Sequence, residues 1–172
     1  MPLSIPRLVP GIAALALAAC ASTMGPPRLQ AGQTEAEVLA QAGQPAETFD
    51  NADGSRTLEY NNQPFGTTVY MVTLGGDGRV REVAQVLSDP YMARVKPGLT
   101  HDEVLRLLGR PLSRQTYPLS KEEAWEWNID SMGYGGQLKR FDVIFKDGKV
   151  IRSETRFIDR YDCGGILGCF PN

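Results

Sequence analysis

The stretch PGLTHDEVLRLLGRP, residues 97–111, decides the fold because it carries every signal of one short helix. Thr100 and Glu103 have the Thr-x-x-Glu spacing of a capping box, in which each side chain binds a backbone N–H group at the start of a helix. Gly109 suits the positive φ that ends a helix, and Pro111 prevents its continuation. Between these limits, apolar residues recur at helical spacing along one face: Val104, Leu105 and Leu108.

The same pattern occurs 66 residues earlier, in AGQTEAEVLAQAGQP at residues 31–45. Thr34 and Glu37 repeat the capping box, and Gly43 and Pro45 repeat the signals that end a helix. Because the two stretches align without a gap, the chain contains an internal repeat, which predicts a second helix. Its apolar face is formed by Val38, Leu39 and Ala42.

The similarity continues downstream, where residues 58–60 (LEY) match 125–127 (WEW) and residues 77–80 (DGRV) match 147–150 (DGKV). Each Asp-Gly pair stands between apolar-rich runs, which is typical of a β-hairpin. The predicted fold class is therefore α+β, with two tandem repeats of one helix on a three-stranded antiparallel sheet. The predicted strands are 57–61, 67–74, 79–86, 124–129, 137–145 and 149–157.

The polarity of the strands predicts how the layers pack. Trp125 and Trp127 alternate with polar residues, so they are expected in the core beneath the second helix, with an exposed binding platform as the alternative. Strand 67–74 is apolar on both faces, which predicts that its second face is covered too, by the other copy. A unit of 60–70 residues is marginal alone, which gives the copies a reason to pack together. A further short helix is expected at about 90–95, after Asp89.

The N-terminus has the pattern of an export signal. Residues 8–19 are uncharged and mostly apolar, and this run is too short to span a bilayer. Residues 17–20, Leu-Ala-Ala-Cys, resemble the lipobox of bacterial lipoproteins, which implies cleavage before Cys20 and lipidation of its thiol. The alternative is an ordinary secreted protein with a free cysteine. Ala21 and Ser22 replace the Asp that retains such proteins in the inner membrane, so the resemblance implies the periplasmic face of the outer membrane.

These patterns divide the chain into five parts. They are a signal peptide (1–19), a lipidated tether (20–30), a first repeat (31–88), a second repeat (89–158) and a C-terminal tail (159–172). The ten residues 21–30 reach about 33 Å when extended. In the tail, Cys163 and Cys169 form an even pair that favours a disulfide in an exported protein, with two free thiols as the alternative.

Composition and motifs give little support to an enzyme. With 18 Lys+Arg against 20 Asp+Glu, there is no basic field for nucleic acid. No cofactor or metal site is expected, because the cysteine pair lacks further ligands nearby and the glycines of residues 133–136 lack the context of a phosphate loop. His101, at the start of a predicted helix, and the neighbouring Glu122 and Glu123 are expected to be solvated.

Two aromatic residues in loops are candidates for protein contact. Phe65 and Tyr134 occupy the corresponding inter-strand loops of the two copies. Apolar loop tips are reasonable contact sites, although both rings could instead fold back onto the sheet. Possible partner contacts are therefore Phe65, Tyr134, Trp125 and Trp127.

The pattern Val95-x-x-Gly-Leu-Thr-x-x-Glu-Val-x-x-x-Leu-Gly-x-Pro111, followed by Trp125-x-Trp127, resembles the SmpA/OmlA (BamE-like) family of outer membrane lipoproteins. The resemblance covers most of residues 90–157 and is weaker over 30–86. It implies a non-enzymatic role in the assembly of outer membrane β-barrel proteins or in envelope integrity, with the assembly machine as partner.

The tandem arrangement resembles instead the β-lactamase inhibitory protein, in which two copies form one concave sheet surface. This second resemblance implies an alternative function, a periplasmic inhibitor or binding module that holds one protein on a tandem sheet. Such a surface would be lined by Tyr60, Tyr70 and Trp127.

Overall fold

A computed structural model describes residues 28–130 and 137–158. The described chain forms three short helices and eight strands. In order they are α1 (Glu35–Ala42), β1 (Glu47–Asp50), β2 (Arg56–Asn61), β3 (Val69–Leu74), β4 (Val80–Gln85), α2 (Asp89–Met92), α3 (His101–Leu108), β5 (Ser113–Tyr117), β6 (Glu122–Asp130), β7 (Leu138–Lys146) and β8 (Lys149–Ile158).

Both predicted capping boxes are confirmed. The backbone N–H of Thr34 donates to Glu37 Oε2 over 2.7 Å, and the backbone N–H of Glu37 donates back to the Thr34 hydroxyl over 3.4 Å. Thr100 and Glu103 make the same pair of bonds at the start of α3, over 2.7 and 3.4 Å. The predicted helix near 90–95 is a single turn, α2, that starts at Asp89.

The predicted fold class, α+β with two repeats of one helix on a three-stranded sheet, is wrong, because the described chain is mostly sheet with three short helices. The strands form two four-stranded antiparallel sheets, sheet 1 in the order β1-β2-β3-β4 and sheet 2 in the order β5-β6-β7-β8. The two missed strands, β1 (ETFD) and β5 (SRQTY), are edge strands with mostly exposed residues. They lack the alternation of apolar and polar residues by which the other strands are recognised, because neither of their faces is fully buried.

The layers stack in the order α1, sheet 1, α3, sheet 2, and each gap between layers holds apolar side chains. Val38 of α1 packs with Leu58 of β2 and Val72 of β3. On the other face of sheet 1, Val69 and Met71 pack in one cluster with α3 and sheet 2. This arrangement confirms that β3 is covered on both faces, and that the second copy covers its second face.

The corresponding turns of the two sheets lie at the same end of the stack. Arg106 of α3 donates to the carbonyl of Asp50, beside the β1–β2 turn, whereas the end of α3 contacts Glu59, further along β2. The turns 51–55, 75–79, 118–121 and 147–148 therefore lie at one end of the stack, which we call the proximal end. The chain enters there, since Gly32 N–H donates to the carbonyl of Val80. The distal end carries the loop 62–68 and the end of β6.

The fold begins slightly before the predicted boundary at residue 31, because Leu29 is buried in the cluster around α1. Cys20, Tyr134, Cys163 and Cys169 lie outside the described residues. Of the helices within residues 28–130 and 137–158, none has the length and apolar character needed to cross a bilayer.

Candidate functional site at the junction of the two copies

The end of α3 is bonded to sheet 1 through Glu59 and Asn61. The backbone N–H of Arg110 donates to Glu59 Oε1 over 3.0 Å, and Asn61 Nδ2 donates to the carbonyl of Arg110 over 2.9 Å. Asn61 Nδ2 also donates to Glu59 Oε1 over 2.8 Å. Two side chains of the first copy thus bind both backbone polar groups of one residue in the second copy, Arg110.

This contact is close-packed. Gly109 ends α3 with a φ of 75°, and a Cβ atom built on it would meet Val69 Cγ1 at 2.7 Å and Glu59 Cδ at 3.0 Å. Glu59 is fully buried, and its Oε2 has no hydrogen-bond partner among the described residues. The guanidinium Nε of Arg110 lies 4.0 Å from Glu59 Oε1 and provides the nearby opposite charge.

A second set of bonds joins the distal loop of the first copy to β6. The side-chain amide of Gln63 donates to the carbonyl of Asn128 over 2.8 Å and accepts from its backbone N–H over 3.1 Å. Asn128 Nδ2 donates to the carbonyl of Pro64 over 3.3 Å. Gln63 therefore occupies the edge of β6 beyond Glu126, where the pairing with β5 ends.

Between these two contacts lies a cleft of about 410 Å³, which we call the junction cleft. Its lining includes Arg110 and Arg114, together with the amides of Asn61 and Gln63. The guanidinium of Arg114 lies over the ring of Trp125, 4.2 Å from its centroid. Arg110 is half exposed, with 49% of its side chain accessible. The residues around the cleft are Ala46, Asn61, Gln63, Pro64, Arg110, Pro111, Leu112, Ser113 and Arg114.

The polar side chains that line the junction cleft are guanidinium, amide and hydroxyl groups. Guanidinium and amide groups donate hydrogen bonds to carboxylates and to peptide carbonyl groups. The hydroxyl of Ser113 donates to Glu126 Oε2 over 3.0 Å and is thereby engaged within sheet 2. Among the described residues, no group of three or more His, Cys, Asp or Glu side chains is placed to hold a metal ion.

The predicted contact residues differ in their exposure to solvent. Phe65, next to Pro64 of the cleft wall, is 88% exposed, so the alternative that its ring folds back onto the sheet is wrong. Trp125 and Trp127 are buried at 2% and 0% exposure. They are core residues, as favoured, and their proposed contact with a partner is wrong. Tyr134 lies outside the described residues.

His101 is only partly solvated, since 35% of its side chain is accessible. Its ring stacks on Phe145 with centroids 4.2 Å apart and lies 4.9 Å from the ring of Trp125. Its Nε2 is 3.0 Å from Glu123 Oε2, and Trp125 Nε1 donates to the other oxygen of Glu123. Glu123 thus joins a ring cluster at the start of α3. This cluster fixes the helix on sheet 2.

Glu122 also has a partner. Arg152 donates two hydrogen bonds to its carboxylate, over 3.2 and 3.3 Å. These bonds lower the pKa of Glu122.

The aromatic lining expected for a concave tandem surface does not form. Tyr60 and Tyr70 face α1 in the first core, and the Tyr60 hydroxyl donates to the carbonyl of Gly43 over 3.2 Å. Trp127 lies in a different layer, between α3 and sheet 2. Sheet 1 therefore separates Tyr60 and Tyr70 from Trp127.

Sequence reasoning missed Asn61, Arg110 and Arg114. One signal could have indicated the junction. Glu59 alternates with Leu58 and Tyr60, which places it on the second face of sheet 1, the face predicted to be covered. A carboxylate on a covered face needs donors from the covering element.

No protein-family model matches the chain, and a search of curated proteins also finds no match. Among solved structures, the chain is similar to a Streptococcus mutans protein described as a "putative beta-lactamase inhibitor protein". The similarity covers 74% of this chain and 85% of that chain, at 12% sequence identity and a TM-score of 0.30.

Proposed function

We propose that the chain is a non-enzymatic lipoprotein of the outer membrane, anchored at Cys20, that binds a protein of the cell envelope through its distal end. In this proposal the bound protein belongs to β-barrel assembly or to the maintenance of envelope integrity, as the SmpA/OmlA resemblance implies. The junction cleft with the exposed ring of Phe65 beside it is the single observation that carries the binding role.

The position of the cleft supports this proposal. The chain enters at the proximal end, so a lipid on Cys20 holds that end toward the membrane. The eight residues between Cys20 and Leu29 reach at most about 30 Å when extended. The distal end, with the cleft and Phe65, then faces away from the bilayer, where a periplasmic domain has access to it.

The chemistry of the cleft suggests what is bound. Arg110 and Arg114 give it two positive charges, whereas the amides of Asn61 and Gln63 hold its walls together through their bonds to Arg110 and Asn128. An exposed aromatic ring beside arginines is a typical centre of a protein interface. The proposed partner segment is therefore acidic, with an apolar residue that packs on Phe65.

The anchor is tested in cells that are fed a labelled fatty acid. The proposal expects label on the wild-type chain and none on the Cys20→Ser variant, which should be found in the soluble periplasmic fraction. Equal labelling of both chains, or a wild-type chain without lipid, would contradict anchoring at Cys20.

The binding role is tested by deletion and complementation. Loss of the gene is expected to lower the levels of β-barrel proteins and to raise sensitivity to large antibiotics. The double variant Arg110→Ala/Arg114→Ala should fail to restore both, whereas Arg94→Ala, an exposed arginine outside the cleft, should restore them. The amounts of all three chains are compared by immunoblot. Unchanged barrel levels and drug sensitivity in the deletion strain would sink the proposed role.

Cross-linking then identifies the partner. A photoreactive amino acid at Phe65 should capture one envelope protein, and the same group at Ala52, in the proximal turn of the first copy, should not. Loss of capture in the Arg110→Ala/Arg114→Ala variant would tie the partner to the cleft. Identical capture from both positions would count against a distal binding surface.

A further inference from the structure

The proximal end carries an apolar tip that the binding role does not use. Leu119, at the turn between β5 and β6, has 103% exposure, the highest of the exposed large apolar residues, and Tyr117 beside it has 47%. The corresponding turn of the first copy, residues 51–55, reads Asn-Ala-Asp-Gly-Ser and is polar. A turn at this place therefore does not require leucine, and the turn conformation does not explain the exposed Leu119.

Positive charges lie beside this tip. Tyr117 pairs with Glu122, Glu122 with Lys146, and Lys146 with Lys149, so these four residues form one row across the end of sheet 2. Neighbouring strands are about 4.8 Å apart, which makes the row about 15 Å long. Lys121 adds a further exposed positive charge next to Leu119.

Most negative charges that α3 and sheet 2 bring to this end are engaged, whereas Asp53 and Asp77 in the turns of sheet 1 are exposed. Glu122 is paired with Arg152, and Glu103 accepts hydrogen bonds from Thr100 at the start of α3. Asp102 is paired with Arg106. Asp147, in the turn between β7 and β8, is exposed. The part of this end that sheet 2 forms thus presents an apolar tip with lysines beside it.

From these features we infer that the tip of residues 117–121 inserts into the surface of the lipid bilayer. Leu119 and Tyr117 enter the boundary between headgroups and acyl chains, and Lys121, Lys146 and Lys149 contact headgroup phosphates. Apolar side chains beside lysines bind such a boundary by both effects. The inference rests on the proposed lipid anchor for its orientation, since Leu29, where the chain enters the fold, lies at the same end of the stack.

The contact would have a mechanical consequence. A lipid on Cys20 alone leaves the folded part free to rotate at the end of its tether. A second contact at Leu119 fixes the stack upright, with the junction cleft at the greatest distance from the bilayer. The inferred tip therefore orients the binding surface as well as adding affinity for the membrane.

The test places a tryptophan at the tip of the lipidated chain. Leu119→Trp is reconstituted on phosphatidylcholine vesicles whose acyl chains carry bromine, which quenches tryptophan emission at short range. Phe65→Trp at the distal end is the first control, and Ala52→Trp in the polar proximal turn is the second. The buried Trp125 and Trp127 give a constant background that the wild-type chain measures.

The inference expects strong quenching and a blue shift at position 119, and no quenching at position 65. Weak quenching at position 52 would show that insertion belongs to the leucine tip and not to the whole end. Vesicle-bound protein with unquenched tryptophan at position 119, or with equal quenching at 119 and 65, would overturn it.

A second measurement separates this inference from the anchor. In the chain with Cys20→Ser, Leu119→Ser is expected to lower partition into the same vesicles about tenfold, since burial of one leucine side chain changes a transfer equilibrium by that order. Equal partition of the two unlipidated chains refutes the tip contact. Absence of lipid on Cys20 of the wild-type chain, read by mass spectrometry, refutes the anchor instead.

Discussion

Replacing Gly109 with alanine tests the stacking of α3 on sheet 1, and Gly43 is the matched control. Both glycines end a helix, with φ and ψ of 75° and −174° at Gly109 and of 78° and −163° at Gly43. This backbone region is nearly restricted to glycine, and a side chain there costs about 1–3 kcal/mol. That part of the loss should be the same at both positions.

The surroundings of the two glycines differ. A Cβ atom at Gly43 meets nothing within 4 Å, whereas a Cβ atom at Gly109 meets Val69 at 2.7 Å and Glu59 at 3.0 Å. Overpacking of a closed core costs about 1–3 kcal/mol in addition. We therefore expect Gly43→Ala to lower the free energy of unfolding by about 1–3 kcal/mol. Gly109→Ala should lower it by about 2–6 kcal/mol.

The assay is equilibrium unfolding in urea, followed by circular dichroism and by tryptophan emission. Trp125 and Trp127 report directly, because they lie in the same cluster as Val69. A domain of ordinary stability has about 5–15 kcal/mol to lose, so Gly109→Ala should shift the midpoint strongly while a folded baseline remains. Equal losses in the two variants would refute the close contact between α3 and sheet 1.

Three further predictions concern single groups. Glu59→Ala should destabilise the fold by about 1–3 kcal/mol because it leaves buried donors without an acceptor, and Glu59→Gln should lose clearly less; equal urea midpoints for the two would contradict this. Gln63→Ala should lower the free energy of unfolding by about 1–2 kcal/mol, because it removes two hydrogen bonds to the backbone of β6. The control Gln44→Ala, at an exposed position, should change it little. Similar urea midpoints for both variants would contradict the bridge from Gln63 to β6. Hydrogen bonds from the cap threonines lower the pKa of Glu37 and Glu103 in the folded chain, so their stabilisation is present above about pH 4.3 and is lost as the pH falls through the lowered values. The double variant Glu37→Gln/Glu103→Gln should therefore show a flatter loss of stability with acid, and an unchanged slope of midpoint against pH would contradict that reasoning.

The helices were predictable because their information is local. A threonine, a glutamate three residues later and a glycine at the end fix α1 and α3 without help from the rest of the chain. The strands with alternating polarity were predictable for the same reason. The edge strands β1 and β5 were not, since their residues gain their conformation from a neighbour and leave no pattern of burial in the sequence.

The junction could be predicted only in part. Val69 and Met71 on the second face of β3 indicated that the second copy covers it, and this prediction is confirmed. The residues that bind across the junction, such as Asn61 and Arg110, are 49 positions apart and carry no periodic signal. Their roles depend on the distance between layers, which sequence patterns do not contain.

The two copies also use equivalent faces in different ways. Glu59 and Met71 face each other in sheet 1, as Glu126 and Asp142 do in sheet 2. In the first copy the covering element is α3, whereas in the second copy Arg156 pairs with both carboxylates. Burial raises the pKa of Asp142, and its hydrogen bond with Arg156 opposes that rise. Charged pairs thus replace the apolar contact that joins the first copy to the second.

The position of α3 between the sheets has a consequence for the order of folding. In a chain that folds from its N-terminus, sheet 1 is complete at Gln85 before α3 joins it. Until then, Val69 and Met71 are exposed to solvent. The first copy then has an apolar sheet face that other unfolded chains can bind. Aggregation through this face is therefore possible between the completion of sheet 1 and the docking of α3. A chaperone that covers sheet 1 would act during that interval.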